Sequence, residues 1–405
     1  MENAENNVVV REEDRNNKEE DNKKIENWDD IDLNPNILRG IYSYGFEKPS
    51  DIQKKSIPQI ISGKDVIAQA QSGMGKTAAF SISTLQRIDV TKPVVQALLL
   101  SPTHELVKQT CTVITALGSS IPGLRIKTMM GGTSIHEDKE TMDESTPHVI
   151  VGSAGRVYDM LRRRYMSGEH VKIIVLDEAD EMLSQGFSDQ IYNIFQQLNS
   201  ELQVALFSAT LPDEILAMTS KFMRDPVRIV MEAEKLNLEC IQQYYIALYN
   251  DAMKYDTLKD LFAAISVSQC IIYCNSIKRV TDLQDAMLKD GFSVCAIHGS
   301  MDKSDREREF SKFRTGSYRV LISSNVTARG IDIQHVSVVI NFDVPKCPHT
   351  YLHRIGRSGR WGRKGMAINF VTQRDRHSMR TIENHYKIMI EELPSNVEEH
   401  TRACL

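Results

Sequence analysis

Short apolar runs alternate with longer segments of mixed polarity along most of the chain. The runs have the length of β-strands and are rich in Val, Ile and Leu, and the segments between them are long enough for helices. Strands of a parallel sheet covered on both faces show this pattern, because neither face is solvated. The runs form two series. The first is Val66–Ala68, Ala97–Leu100, Ile126–Met130, Val149–Val151, Ile173–Leu176 and Val204–Phe207, and the second is Ile241–Ala247, Ile271–Tyr273, Val294–Ile297, Val320–Ile322, Val338–Ile340 and Ala367–Val371.

The two series predict two α/β domains, each a parallel sheet flanked by helices. We expect the first domain to span residues 28–230 and the second to span 240–397. Residues 231–239 are charged and lack apolar periodicity, so they are predicted to be a short linker. Residues 1–27 and 398–405 form the two tails, and the first of these has the composition of a disordered, solvated segment.

Composition narrows the class of protein. The 405 residues carry 49 Lys and Arg against 54 Asp and Glu, which argues against indiscriminate polyanion binding but allows a local basic groove. The 7 cysteines form no Cys-x-x-Cys pair, so reduced thiols are expected rather than disulfides or zinc. No signal peptide or membrane span is recognisable. We expect a cytoplasmic protein, with a nuclear location left open.

A glycine-containing segment lies between the first apolar run and a segment of helical spacing. Its residues are Ala70, Gln71, Ser72, Gly73, Met74, Gly75, Lys76 and Thr77. Glycines in this position turn successive N–H groups toward one anion, as in a phosphate-binding P-loop. Lys76 would then reach the β- and γ-phosphates, and the Thr77 hydroxyl would ligate Mg²⁺. The alternative is a glycine turn before a structural helix.

Two acids follow a later run of the same series. Ligands of open parallel sheets bind beyond the carboxyl ends of the strands, so Asp177 and Glu178 are predicted to lie near the P-loop. Asp177 is suited to hold Mg²⁺, and Glu178 is suited to position or deprotonate an attacking water. The alternative is an acidic helix start that complements the helix dipole.

The second series contains a basic segment with interspersed glycines. Residues 353–360 read His-Arg-Ile-Gly-Arg-Ser-Gly-Arg. Arginines supplied from a second domain can neutralise the charge that develops on a transferring phosphoryl group. A solvated basic loop is the alternative, but the P-loop in the first domain favours a catalytic interpretation.

The P-loop followed by Asp177-Glu178-Ala179-Asp180 resembles the DEAD-box RNA helicases, and further segments match that family in order from Trp28 to Val397. The resemblance implies two tandem RecA-like domains. It also implies hydrolysis of ATP to ADP and phosphate with Mg²⁺, and sequence-independent binding of single-stranded RNA or a short duplex. A chain of this type is expected to be a monomer on its own.

The resemblance adds residues to the ATP site. Phe46 is expected to stack on adenine, and Gln53 to read the adenine edge, which suits an amide that donates and accepts. Asp332 is expected to bind the ribose. The expected catalytic residues are Lys76, Asp177 and Glu178, together with the expected arginine fingers Arg357 and Arg360.

The resemblance also implies contacts with RNA. Hydroxyls and exposed amides at strand ends suit phosphates and sugars, which carry no sequence code. The expected RNA-binding residues are Pro102, Thr103, Gly132, Ser153, Gly155 and Arg156 in the first domain and Gly299, Arg306 and Ser324 in the second. Ser208, Thr210 and His353 are expected to couple ATP hydrolysis to RNA.

Residues 40–50 and 162–165 are most similar to the minimal family members that act in translation initiation, with their sister in the exon-junction complex as a near neighbour. This similarity predicts unwinding near the mRNA 5′ region and a protein scaffold of the initiation machinery. The chain departs from the family pattern at Met74, His104, Ser153-Ala154, Lys303 and Ser324-Asn325. Most of these positions are on the RNA side, so we expect intact ATP hydrolysis and weakened RNA coupling.

Other functions remain open from the sequence. The chain could be a non-catalytic or weakly active ATP-dependent RNA clamp in an mRNA-processing complex. A P-loop kinase would leave the basic segment of the second domain unexplained. A DNA helicase also remains, because the sequence shows no reader of the 2′-hydroxyl directly.

Overall fold

The structure is a computed structural model, and it describes residues 25–71, 73–184, 187–231, 241–264, 269–325, 336–358 and 365–394. Strands and helices alternate along these ranges, as the apolar pattern predicts. Ser72, Asp332 and Arg360, together with residues 232–239 of the predicted linker, lie outside the described residues. Most of the two predicted tails lies outside them as well.

The first sheet has strand order β3-β4-β2-β5-β6-β1-β7 within the described residues, and every neighbouring pair is parallel. Its strands are β1 (Val66–Gln69), β2 (Ala97–Leu100), β3 (Ile126–Met129), β4 (Val149–Gly152), β5 (Ile173–Asp177), β6 (Gln203–Ser208) and β7 (Val227–Val230). All the predicted runs of the first series are strands. The edge strand β7 was not predicted, because its half-exposed residues do not form a continuous apolar run.

Helices cover both faces of this sheet. They are α1 (Pro35–Ser43), α2 (Asp51–Ile61), α3 (Lys76–Arg87), α4 (His104–Leu117), α5 (Ile135–Glu144), α6 (Ala154–Arg162), α7 (Ala179–Met182), α8 (Ser188–Phe195) and α9 (Asp213–Thr219). Two apolar clusters lie on opposite sides of the strands, because successive strand residues point to opposite faces. Ile67 and Ala68 of β1 show this division.

The second sheet repeats the arrangement with strand order β10-β11-β9-β12-β13-β8-β14, again parallel throughout. Its strands are β8 (Ile241–Ala247), β9 (Cys270–Tyr273), β10 (Val294–Ile297), β11 (Val320–Ser323), β12 (Val338–Asn341), β13 (Gly365–Val371) and β14 (Glu391–Glu392). Its helices are α10 (Met253–Ala264), α11 (Ile277–Lys289), α12 (Lys303–Arg314), α13 (Pro348–Ile355) and α14 (Arg376–Tyr386). The prediction of two α/β units with parallel sheets is confirmed.

The strand order places the chemistry at one end of the first sheet. Strands β5, β6 and β1 are neighbours, with Asp177 opposite Phe207 and Gln69 opposite Ser208. The P-loop, the acidic pair and the Ser-Ala-Thr segment therefore leave the same edge, as expected for ligands beyond the carboxyl ends of parallel strands.

The cysteines in the described part of the chain are free thiols. Cys270 and Cys274 are buried at the two ends of β9, and burial raises the pKa of Cys274 to about 12. They are packed as small apolar residues in the core of the second domain. In the described ranges no helix combines the length and apolar content that crossing a membrane requires.

Candidate nucleotide and RNA site

The P-loop connects β1 to α3 through two left-handed glycines. Gly73 has a φ of 87° and Gly75 a φ of 93°, in the region that only glycine enters without strain. A Cβ on Gly75 would lie 2.5 Å from Gln53 Nε2, so glycine is required there for close packing as well. The loop starts with the Ala70 amide donating to the Ser208 carbonyl over 2.9 Å.

Residues at the start of helix α2 hold the P-loop in place through hydrogen bonds to its backbone. The Ser50 hydroxyl donates to the Met74 carbonyl over 2.8 Å, and Gln53 Nε2 donates to the Gly75 carbonyl over 3.1 Å. Gln53 Oε1 also accepts from the Ser50 amide over 2.7 Å, which closes a capping box at the start of α2. Gln53 is thus part of the loop's scaffold, in addition to its expected place beside adenine. Sequence reasoning missed Ser50, although Ser-x-x-Gln before an apolar segment is a capping-box signal.

Phe46 lies on the same side, partly exposed. Its ring centroid is 4.8 Å from that of Tyr44 and 6.4 Å from that of buried Trp28. The Trp28 indole N–H donates to the Phe46 carbonyl over 3.1 Å. The aromatic residue is therefore held at the surface by its neighbours, which suits a stacking platform.

Lys76 and Glu178 face each other inside the site. Their exposed fractions are 6% and 3%, and Lys76 Nζ lies 4.0 Å from Glu178 Oε1. Neither Lys76 Nζ nor Glu178 Oε2 has a hydrogen-bond partner among the described residues. Buried charged groups normally have such partners, so both atoms fit a ligand that brings phosphate oxygens and a water. Glu178 also has a φ of 50°, a strained value for a residue with a side chain.

Asp177 ends β5 and is almost fully buried. Burial, followed by the neighbouring Glu178 carboxylate, raises the pKa of Asp177 to about 7. Carboxylate and hydroxyl oxygens are ligands that Mg²⁺ prefers, so Asp177 and Thr77 fit the predicted metal. When bound, the ion would neutralise phosphate charge. Asp177 Oδ1 already accepts from the Glu178 amide over 3.0 Å, which orients the carboxylate.

A hydrogen-bonded chain crosses from the first domain to the second. Thr210 Oγ1 donates to Asp180 Oδ2 over 2.7 Å, and the same oxygen lies 3.3 Å from His353 Nε2. Ser208 Oγ accepts from the backbone amides of Asp180 and Thr210 over 3.4 and 3.3 Å. All these side chains are buried. The expected coupling residues Ser208, Thr210 and His353 are thus brought together around Asp180.

His353 connects the basic segment of the second domain to this series of hydrogen bonds. Glu178, Asp180 and His353 bring side-chain ligand atoms within 4.8 Å of one another. Arg357 follows one turn after His353, is buried, and donates from Nε to the His353 carbonyl over 3.2 Å. The structure therefore places one expected arginine finger beside the cross-domain contact, while Arg360 is outside the described residues.

The expected RNA-binding residues of the first domain lie where β2, β3 and β4 end. Pro102 is partly exposed, and Thr103 Oγ1 accepts from the Leu106 amide over 3.3 Å as the N-cap of α4. Gly132 has a φ of 80°, and the Ser153 amide donates to the Met129 carbonyl over 3.0 Å. Gly155 is closely approached by Gln190, at 3.3 Å from a Cβ.

Arg156 makes intramolecular contacts that the sequence did not indicate. Its side chain is 9% exposed and forms an ion pair with Asp138 of α5. It also donates to the Thr133 carbonyl over 2.5 Å and to the Thr133 hydroxyl over 3.1 Å. The guanidinium therefore holds the turn that contains Gly132. In this arrangement Arg156 stabilises a loop that is expected to bind RNA.

The second domain presents its expected RNA-binding residues at the ends of β10 and β11. The Ser324 amide donates to the Ile297 carbonyl over 3.4 Å, and Ser300 Oγ lies 2.9 Å from His298 Nδ1, on either side of Gly299. Arg306 Nε has no hydrogen-bond partner among the described residues. The adjacent Glu307 accepts from Lys108 of α4 over 2.7 Å, so an ion pair joins the two faces that are expected to bind RNA.

Comparison with known proteins agrees with this geometry. Residues 50–218 match the model of the DEAD/DEAH box helicases, and residues 253–362 match that of the helicase conserved C-terminal domain. The ATP-dependent RNA helicase eIF4A of Neurospora crassa is 49% identical over 375 residues, which are 93% of this chain and 94% of that protein.

Solved structures show the same architecture. Dbp5 of S. cerevisiae bound to RNA and ADP BeF3 superposes with a TM-score of 0.86 and 34% identity, over 94% of this chain and 99% of that chain. Mss116p bound to ssRNA and AMP-PNP gives 0.82 and 25%, over 95% and 82%. The predicted tandem RecA-like domains are confirmed. The chain therefore belongs to the DEAD/DEAH box helicase family.

Proposed function

We propose that the protein uses ATP hydrolysis to bind, bend and locally unwind RNA. The observation that carries the proposal is the Asp180 carboxylate, which is shared by Thr210 of the first domain and His353 of the second. One oxygen thereby connects the hydrolytic acids, the Ser-Ala-Thr segment and the basic segment across the domain boundary. A P-loop kinase acting on a small substrate would need no such connection.

At the ATP end, each residue has a separate task. The Lys76 ammonium binds β- and γ-phosphate oxygens, and Glu178 orients the attacking water and accepts its proton. Asp177 and Thr77 hold Mg²⁺. Arg357, with Arg360, stabilises the charge that develops on the transferring phosphoryl group. Products are ADP and phosphate.

At the RNA end, contacts are made to phosphates and sugars, so binding is sequence-independent and salt-dependent. Arg156 contributes by holding the turn at Gly132 against α5. ATP and RNA both favour the state in which the two domains meet, so each strengthens the binding of the other. Hydrolysis releases this state.

The biological setting follows from the relative named eIF4A. We place the protein in translation initiation, where it unwinds RNA near the mRNA 5′ region in the cytoplasm. A protein scaffold of that machinery is the expected partner, and the chain alone is expected to be a monomer.

Strand separation of a short RNA duplex under multiple turnover tests this function. We expect unwinding with ATP and Mg²⁺, loss of unwinding when the metal is chelated, and little unwinding of the matched DNA duplex. ATP and RNA binding without turnover would instead favour the non-catalytic RNA clamp. Equal activity on DNA would contradict the assignment to RNA.

A further inference from the structure

Arg354 is a fully buried cation, and its hydrogen-bond acceptors among the described residues are all neutral. It lies on α13 and is 0% exposed. Its Nε and Nη2 donate to Asn325 Oδ1 over 3.0 and 2.7 Å, and Nη2 also donates to Asn275 Oδ1 over 2.8 Å. Its Nη1 donates to Asn341 Oδ1 over 3.1 Å and to the Asp343 carbonyl over 2.8 Å. These neutral oxygens form the amide cage.

The nearby carboxylate of Asp343 is engaged elsewhere. It lies 3.0 Å from Lys254 Nζ and 2.9 Å from Arg279 Nε, and it accepts from the Asn275 amide. Asp343 accepts from Arg354 through its backbone carbonyl, and its carboxylate charge acts on the guanidinium without a hydrogen bond between them. The Tyr273 ring, 5.1 Å from the guanidinium, adds a cation–π contact. Burial lowers the pKa of Arg354 to about 10, which reflects the limited compensation of its charge.

The amide cage connects the two ends of the second domain's site. Asn325 directly follows Ser324 at the end of β11, on the expected RNA side. Arg354 lies between His353, which contacts Asp180, and Arg357 on the next turn. The two hydrogen bonds to Asn325 Oδ1 therefore tie the end of β11 directly to the helix that reaches the ATP site.

We propose that Asn325 is a positioning residue that sets how strongly RNA is coupled to ATP, and that its neutral amide keeps this coupling weak. A carboxylate in its place would keep the hydrogen bonds from Arg354 and add a charge–charge attraction to the buried guanidinium. The end of β11 and α13 would then be fixed together before RNA arrives, so less ordering would remain for RNA to drive. This inference rests on the proposed RNA-dependent ATPase function.

Asn325 is the cage member that can become a carboxylate at least cost. Asn341 Nδ2 donates to Asn369 Oδ1 over 2.8 Å, and Asn275 Nδ2 donates to the Val344 carbonyl over 2.9 Å. Replacing either amide with a carboxylate would lose a donor. Asn325 is exposed, and no donor bond of its amide is formed with the described residues, so the second oxygen of an aspartate would be hydrated.

The test compares Asn325→Asp with the unchanged protein. The RNA concentration that gives half-maximal ATPase stimulation is measured with a single-stranded RNA oligonucleotide, together with the melting temperature. We expect Asn325→Asp to lower that concentration about fivefold, which corresponds to ~1 kcal/mol of added attraction, and to raise the melting temperature. Asn325→Ala is expected to raise the concentration instead.

Asn341→Asp is the matched control, because it adds a carboxylate to the same guanidinium without touching the end of β11. We expect it to leave the RNA requirement no lower than in the unchanged protein. A higher melting temperature for Asn325→Asp with an unaltered RNA requirement would overturn the proposal, since the pair would then be merely structural. If the unchanged protein shows no RNA stimulation, the proposed function fails. In that case direct RNA binding that is no tighter in Asn325→Asp also overturns this inference.

Discussion

Gly75 shows how a single residue fixes the nucleotide loop. An alanine at this position would meet a left-handed φ of 93° and a Gln53 amide nitrogen 2.5 Å from its Cβ. At Gly73 the φ of 87° is similar, but no heavy atom of the described residues lies within 4 Å of a Cβ. A substitution at Gly73 therefore meets backbone strain alone, whereas a substitution at Gly75 meets both backbone strain and steric overlap.

We predict that Gly73→Ala lowers the free energy of unfolding by ~1 kcal/mol, the cost of a left-handed alanine. Gly75→Ala should cost more, by ~1–3 kcal/mol of overpacking, and should also weaken ATP binding because Gln53 must leave the loop. Urea unfolding and nucleotide titration measure the two effects. Equal losses for both variants would contradict the role of Gln53 as part of the loop's scaffold.

The Arg156–Asp138 ion pair gives a second test at the residue scale. Its two side chains are 9% and 6% exposed, and removing one partner of a buried pair costs ~3–5 kcal/mol because the other charge is left uncompensated. We predict a loss of this size for Asp138→Asn, with weaker RNA binding as the turn at Gly132 loosens. Asp143→Asn is the control on the same helix. Its surface pair with Lys139 is worth ~0–1 kcal/mol.

The residue types of the site could be predicted from the sequence, but their side-chain contacts could not. The spacing of Gly75, Lys76 and Thr77 is enough to predict a phosphate loop. Gln53 donates a hydrogen bond to this loop, and Arg156 forms an ion pair with Asp138. Both contacts join residues that only the fold brings together. Neither contact leaves a periodic signal in the chain.

At the scale of elements, α1 packs closely against the end of α4 through Gly40. A Cβ on Gly40 would lie 1.9 Å from the Leu117 carbonyl oxygen. Alanine is favoured over glycine within a helix by ~1 kcal/mol, but a backbone carbonyl cannot move without moving the helix. We predict that the steric overlap outweighs the gain in helix propensity, so that Gly40→Ala lowers the free energy of unfolding by ~1–3 kcal/mol.

Ser43→Ala, at an exposed position of the same helix, is the control for Gly40→Ala. It should change the free energy of unfolding by less than ~0.5 kcal/mol. A stabilised Gly40→Ala variant in urea unfolding would show that the two helices can separate freely, which contradicts the close packing.

His148, at the start of β4, makes this part of the first sheet sensitive to acid. It is buried, its Nδ1 accepts from the Arg125 amide over 3.1 Å, and burial followed by the Arg125 charge lowers its pKa. Asp89 acts in the opposite direction. Because the folded state favours the neutral ring, its stabilising effect is complete above the unfolded pKa of ~6.5 and is lost as pH falls toward the lower folded value.

We therefore predict that unfolding free energy falls on acidification below about pH 6.5, and that His148→Gln reduces this slope. His136→Gln, at an exposed position of α5, should keep it. Urea unfolding at several pH values measures the slope. A slope that is the same with and without His148 would assign the acid sensitivity to other groups.

Strand positions followed from the apolar runs because buried parallel strands need apolar residues on both faces. The runs of the first series became β1 to β6 with ends shifted by no more than a residue. Strands β7 and β14 escaped prediction because neither is a continuous apolar run. An arginine interrupts β7, and β14 consists of two exposed glutamates.

At the scale of the whole molecule, an exposed ion pair and a buried contact both join the domains. The exposed Lys108–Glu307 pair spans 2.7 Å, and the buried Asp180–His353 contact spans 3.3 Å. The exposed pair is worth ~0–1 kcal/mol and is screened by salt. We propose that the buried contact links hydrolysis to the second domain. The order of motifs along the sequence predicted two halves of one site, but only the fold shows which atoms meet.

The most direct test of the account is ATP turnover measured with and without single-stranded RNA, for the unchanged protein and for Glu178→Gln. We predict that RNA stimulates the unchanged protein. We also predict that Glu178→Gln loses ~10²–10⁴-fold in turnover, the usual contribution of a general base, while ATP and RNA still bind. Turnover that ignores RNA, or that survives Glu178→Gln, would contradict the claim that Glu178 works in an RNA-closed site between the two domains.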